Sequence, residues 1–365
     1  PPTELLWTSY TGYGLTVATS SPFSESEYYA PAETDEHRGV VLPARFGSAA
    51  DEYRVASERV ALFERSDRGL LIVTGADRKE WLHNMVTNAV KTLDENLGNY
   101  AFAIDVKGRV QFDLNILNLR EELWLDIDAP TVGTAQAHFD RYLLNEDVQM
   151  RDATARFARL GCCGPRAAEI AGRLGITNFP AMAALSSFGL NDGSTRFVRH
   201  DFAGRPGFEL ILPRVHATAW WQRLVRDWGV SPAGHRTLDV LRIEAGIPWL
   251  HRDIDNTVLP PETGQVERGV SYHKGCYLGQ EIIERMRSRG SLARRLVRVH
   301  ADEGQGLKLP ARLRQNDSEV GRVTSLVWHP LTEMWVGLGY LRTKVTEMSG
   351  ITAGEPPRAI HVEAA

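Results

Sequence analysis

The sequence predicts an α+β protein with two α+β domains followed by a small all-β domain. Three observations predict it. Helical and strand-like periodicities are mixed through the first 290 residues, in a pattern that occurs twice. After Ser291 the chain changes to short strands separated by turn residues. Finally, 365 residues exceed one ordinary core, at roughly 150 residues per domain.

Residues 1–45 are rich in Ser, Pro, Gly and acids ("SSPFSESEYYAPAETDEHRG") and read as an arm or long loop lying over a core. The first α+β domain is expected over 46–152. "SAADEYRVASERVALFERSD" predicts a helix, with Ser48 as N-cap and Asp51 three residues on. The strand "GLLIVTG" and the helix "DRKEWLHNMVTNAV" follow. "YAFAIDVKGRVQFDLNILNL" predicts a hairpin turning at Asp105–Gly108. Val110, Phe112, Leu114 and Ile116 share one face of its second strand, and Gln111, Asp113 and Asn115 the other. "ELWLDID" repeats the alternation, opposing Leu123, Leu125 and Ile127 to Trp124, Asp126 and Asp128. The polar row is expected to be a solvated face, and gains a function only if something covers it.

The second α+β domain is expected over 153–290. "ARFARLG" is a strand, and "GPRAAEIAGRLG" is a helix opened by Pro165 and closed by Gly175. "RFVRHDFAGRPGFELIL" is a hairpin turning at Gly204–Gly207. The helices "HATAWWQRLVRDWG" and "GHRTLDVLRIEAG" end at Gly229 and Gly246. Residues 291–365 supply the strands "RRLVRVHAD", "ARLRQ", "EVGRVTSLVWH" and "WVGLGYLR", a domain large enough to fold independently.

A net charge of −4 gives the whole molecule no strong pull toward nucleic acid or membrane, so anion binding must be local. No apolar run approaches the roughly 20 residues of a membrane span. The three cysteines, Cys162, Cys163 and Cys276, are odd in number and lack zinc-type spacing, which predicts no metal site and a reduced, cytoplasmic compartment. The N-terminus lacks a secretory signal.

Cys276 lies in "SYHKGCYLGQEIIERM", just before a helix expected to begin near Gly279. Unpaired amides and the helix dipole favour a thiolate there, Lys274 and His273 add positive charge, and Gly275 and Gly279 permit a backbone that exposes the sulfur. The alternative is a small buried hydrophobe in a tight turn. For Cys162 and Cys163, at a strand end, the buried reading is preferred.

"KGCYLGQEIIER" resembles the K-G-C-Y-x-G-Q-E signature of YgfZ-type proteins, in the superfamily of the glycine cleavage T-protein (aminomethyltransferase). In this chain the motif residues are Lys274, Gly275, Cys276, Tyr277, Gly279, Gln280 and Glu281. "LDVLRIEAGIP", followed by "HRDID", is similar to the T-protein's "LRLEAG" segment, "AGRPGFEL" to its "GEDGFE", and "KGRVQFDL" to its "GGxxDDL". The resemblance implies ferredoxin-like or T-protein-like α+β domains and a small C-terminal β-barrel, in a three-domain ring around a cavity for tetrahydrofolate or a derivative. It implies Glu209 as the carboxylate that grips the pterin, and Arg242 as a partner of the folate or of Glu209. A carboxylate suits the paired donors of an aminopyrimidine edge.

The chain departs from the T-protein pattern at the paired aspartates, where it carries Phe112 and Asp113. By the alternation, Asp113 points away from the face of Phe112 and cannot take over a role lost there. The second departure is Cys276, where T-proteins typically carry an aromatic residue. Together these favour a tetrahydrofolate-binding accessory protein supporting assembly or repair of iron–sulfur client proteins through Cys276. The alternative is a folate-dependent, aminomethyltransferase-like one-carbon transferase. Catalytic candidates are Cys276, Lys274 and Asp113; folate-binding candidates are Glu209, Arg242 and Asp113. A third reading, RNA binding, would use "ERMRSRGSLARRLVR" with its six arginines in 15 residues, a pattern more often a solvated face.

Overall fold

The computed structural model describes residues 21–37, 40–190, 193–290 and 292–364. Three sheets organise the chain beyond the N-terminal hairpin Glu33–His37/Val40–Arg45. Residues 1–20 of the expected arm lie outside the described residues. The part of the arm that is described packs Phe23 and Tyr29 onto Trp221 of the second α+β unit, with ring centroids 5.3 and 5.0 Å away.

The first sheet has five antiparallel strands in the order Gly98–Ile104, Val110–Asn118, Leu123–Asp128, Arg68–Thr74, Gln149–Asp152. The helices Arg78–Met85 and Val132–Asp140 cover its apolar face. Phe112 packs there against Phe139 at 5.3 Å, and Trp81 meets the same ring at 5.4 Å. The predicted hairpin is therefore present with its predicted faces. The helix Val132–Asp140, which follows the segment "DAPT", was not anticipated.

The second sheet runs Ser187–Gly189, Arg196–Arg199, Gly207–Pro213, Phe157–Cys163, Ala61–Glu64, Ser231–Pro232, with only the last pair parallel. The predicted Ser48 cap forms, its hydroxyl accepting from the Asp51 N–H at 3.2 Å. The helix it starts ends at Glu58. The helix expected through residue 67 thus stops early, because 61–64 is a strand of this sheet, paired with 160–163. "ALFE" satisfies a helical pattern locally, but a fully buried strand position decided it.

The expected boundary at 152/153 is crossed in both directions. Residues 61–64 belong to the second sheet, while Val270, Tyr277 and Ile283, from the expected second domain, lie in the core of the first. Cys162 and Cys163 are buried in the second unit, where burial pushes both thiols up, so the buried reading holds for them.

From Arg294 onward the chain forms a seven-stranded antiparallel sheet containing the four expected strands. Its two edge strands, Arg358–Ala359 and His361–Ala364, are separated in sequence by Ile360 alone. Opposite edges can be joined by one residue only if the sheet curls back toward itself. Among the described residues, no helix is long and apolar enough to cross a membrane.

Candidate functional site

The polar row of the first sheet is buried, contrary to the expectation of a solvated face. Asp113, Asn115, Asp126 and Asp128 are each 9% exposed or less. Part of the cover comes from the second sheet, whose Arg159 reaches Asp126; Arg159, Gly161 and Glu209 share the face of that sheet turned away from the helices Ala167–Arg173 and Ala217–Gln222. Alternation on two strands from different sheets brings the two polar faces together.

Register then sets the contacts. Asn115 and Asp126 are direct cross-strand neighbours, and the Asn115 amide donates to Asp126 Oδ2 at 2.7 Å. Arg68, one strand over, donates through Nε to Asp126 Oδ1 at 2.8 Å. Arg159 reaches the same oxygen from the second sheet at 2.5 Å. Burial alone would raise the Asp126 carboxyl, but Arg159 and Arg68 outweigh it and hold the group well below the usual range. Arg65, between the two sheets' strands, ion-pairs Asp67 and Glu209, both at 3.0 Å. Glu209 Oε2 meets His200 Nδ1 at 2.8 Å. Burial would raise Glu209 too; Arg65 and His200 hold it below its ordinary value. Gly161 faces Glu209 in register, and a Cβ there would lie 2.6 Å from the Phe202 ring, so glycine makes room for the cover.

Two acceptors in this cluster, Asp113 Oδ1 and Asn115 Oδ1, have no hydrogen-bond partner among the described residues. Asp113 Oδ2 accepts from the Tyr100 hydroxyl at 2.8 Å, but Asp113 Oδ1 is buried with no hydrogen bond. Asn115 Oδ1, two residues along the same face, is in the same state. A buried unsatisfied acceptor costs about 1–3 kcal/mol, and two on one face mark a place that N–H or O–H donors from elsewhere would fill. Burial, and then the Asp113 charge, push the Tyr100 hydroxyl well above its ordinary pKa, so it stays a donor and fixes the carboxylate's orientation. Arg268 lies over the Tyr100 ring at 3.9 Å. The arrangement can accept donors and stabilise positive charge developing beside Asp113.

Phe112, on the opposite face, is wholly buried, its ring edge-on to those of Phe139 and His138. A carboxylate at 112 would point into the helix-covered core. The departure at 112 therefore leaves the polar face's own carboxylate, Asp113, in place.

Arg242 does not partner Glu209. It is 0% exposed, and its five N–H donors go to Asp239, Asp253, Ser325 Oγ and the Ile247 carbonyl. Ser325 belongs to the third sheet, so Arg242 ties the helix His235–Glu244 to that sheet, and no donor remains for a folate.

The cysteine motif docks on the first sheet. The helix runs Gln280–Arg289 behind Gly279, as expected, and Cys276 is free and exposed. The Lys274 ammonium is held by the carbonyls of His83, Val86 and Asn88, the last two at 2.6 and 3.0 Å; burial lowers it to about 7. Its hydrogen bonds thus anchor the motif to the first unit. Tyr277 is buried, with the ammonium 4.8 Å from its ring. Gln280 Oε1 accepts from the Tyr277 N–H at 3.2 Å, and Glu281 is exposed. Gly275 has open space around it. Gly279, at φ +77°, would place a Cβ 2.3 Å from the Asp105 carbonyl of the hairpin turn. Gly279→Ala is expected to destabilise the protein by about 1–3 kcal/mol in urea unfolding, whereas Gly275→Ala should be near neutral. No hydrogen bond or ion pair joins Cys276 to Asp113 or Glu209 among the described residues.

Of the six arginines in 284–298, four are engaged: Arg287 with Glu284 and the Tyr272 ring, Arg294 with Glu262, Arg295 with the Thr343 and Val345 carbonyls, and Arg298 with those of Glu244 and Ala364. That disperses the basic patch. Among the described residues, no group of three or more His, Cys, Asp or Glu could hold a metal ion. Sequence reasoning did not single out Tyr100, Arg65, Arg68, Arg159 or His200; Asn115 and Asp126 were visible in the alternation.

The mixed α/β units, the curled C-terminal sheet and the buried polar face define a protein class that comparison identifies. The GCVT N-terminal domain family matches residues 14–274, and the chain belongs to that family. It is similar to the aminomethyltransferase of Caldanaerobacter subterraneus subsp. tengcongensis, 26% identical over 351 residues and 91% of each chain. It is also similar to an aminomethyltransferase from a Geobacillus strain, 27% identical over 337 residues, covering 89% of this chain and 91% of that one. The fold matches the crystal structure of glycine cleavage system aminomethyltransferase T from Bartonella henselae, with a TM-score of 0.82 at 20% identity over 92% of this chain and 94% of that one.

Proposed function

We propose that the protein binds tetrahydrofolate or a derivative against the buried polar face and transfers a one-carbon unit, in the manner of an aminomethyltransferase. The observation that carries this reading is the pair of orphaned acceptors, Asp113 Oδ1 and Asn115 Oδ1. They suit the N–H donors of a reduced pterin. The names of its relatives support the same choice over the accessory role. Bound there, tetrahydrofolate would supply the amine nitrogens that accept the one-carbon unit. Tyr100 would hold Asp113 in place, Asp113 would stabilise positive charge and steer a proton, and the covering sheet would exclude water. Glu209, held by Arg65 and His200, would shape the far side of the face.

Calorimetric titration tests it. The wild type is expected to bind tetrahydrofolate saturably, and Asn115→Leu to weaken binding about tenfold. Arg285→Ala, on the exposed helix after the motif, should change nothing. Absence of binding to the wild type would refute the reading.

A second reading is supported by the exposed Cys276 within the K-G-C-Y-x-G-Q-E motif: a YgfZ-type accessory protein for iron–sulfur clients, with the thiol as point of contact. Loss of the gene should then depress iron–sulfur enzyme activities in cells, and Cys276→Ala should fail to restore them. Full restoration by that variant removes the thiol from the function.

A further inference from the structure

A second cleft lies between the N-terminal hairpin, the helix His235–Glu244 and the tip of the strand pair Ser318–His329/Met334–Arg342, and encloses about 730 Å³. Trp328 and Trp335 line it. They are directly opposite in the strand register and meet edge to face, with centroids 5.8 Å apart. Trp335 is wedged in place, since a Cβ on Gly304 would come within 2.4 Å of its ring. Trp328 remains 45% exposed, a large apolar ring that the core does not use.

The charges at this cleft are unequal. Arg236 is neutralised by Glu33 and Asp35, at 2.6 and 2.7 Å, and Arg252 by Asp239 at 2.5 Å. Glu36, which also lines the cleft, has no ion-pair partner among the described residues. An indole pair that shares a cleft with a carboxylate lacking a cationic partner among the described residues disfavours anions and attracts cations, through the ring quadrupole and through direct charge.

We propose that this cleft is a binding site, separate from the polar face between the sheets, for a small organic cation: an ammonium carrying apolar substituents. The indoles and Glu36 take the charge, while Leu326 and Pro330 face the alkyl groups. The volume lies within the range of small-molecule sites, and the place, a junction of three parts of the chain, is where such sites concentrate.

Calorimetry on the full chain with choline, and with its uncharged isostere in which carbon replaces the quaternary nitrogen, tests the proposal. Choline should bind saturably and the isostere about tenfold more weakly. Trp328→Ala should weaken choline about tenfold and Glu36→Gln about threefold; both positions are exposed, so both variants should fold. Asp113→Asn should bind choline like the wild type, which separates this site from the proposed folate site. Equal affinity for the isostere, unchanged affinity in Trp328→Ala, or no saturable binding of choline would overturn the proposal. So would a basic peptide that binds where choline does not, since that would make the cleft a protein-docking face.

Discussion

Asp113→Asn is expected to lower one-carbon transfer by about 100-fold or more while leaving the unfolding midpoint close to that of the wild type. The amide keeps the size of the side chain and an oxygen that can accept from Tyr100. It removes the negative charge, so it separates electrostatics from shape. Tetrahydrofolate affinity should fall by only a few-fold, because Asn115 and the covering sheet are untouched; the loss should appear in turnover. A single-turnover assay of methylenetetrahydrofolate formation, run beside binding calorimetry, reads both. Unchanged turnover would place the chemistry elsewhere and leave Asp113 as a binding group only.

Arg242→Met is expected to destabilise the protein by about 3–5 kcal/mol, the largest stability effect foreseen. The native guanidinium joins Asp239, Asp253 and Ser325 and also stacks over Trp249 at 4.4 Å. Methionine fills the space but leaves Asp253, wholly buried in its side chain, with the Thr324 and Ser325 hydroxyls and the Trp249 N–H as donors and no cation to balance its charge. Urea unfolding measures the loss. Ser325→Ala, which removes one acceptor from the cation, should cost about 1 kcal/mol. Tetrahydrofolate affinity of the folded Arg242 variant should stay within about twofold of the wild type. A selective loss of folate binding would instead return Arg242 to the ligand site.

Much of the molecule is legible in local chemistry. The 98–118 hairpin follows from strict alternation around a turn with Gly108 at φ +75°. The Ser48 cap follows from a hydroxyl placed to accept from an amide three residues on. The exposed Cys276 and the helix behind it follow from glycines that permit the required backbone. The strand Ala61–Glu64 is not legible: its four residues fit a helix as well as a strand, and its partner lies about 100 residues away. The role of Arg242 is hidden for a related reason. A guanidinium on a helix reads as surface, and its three acidic or hydroxyl partners come from the same helix, a following loop and another sheet.

The sequence by itself determined which side chains share a face, because side-chain direction follows from the two-residue period of a strand, a property of a few adjacent dihedrals. It placed Asp113, Asn115 and Asp126 in one row. Only the tertiary structure decided that this row is inside, that Arg159 and Arg68 neutralise one of its members, and that Asp113 and Asn115 each keep an acceptor unmet. Burial and charge pairing depend on which distant surface arrives opposite. A strand's own residues carry no record of that surface.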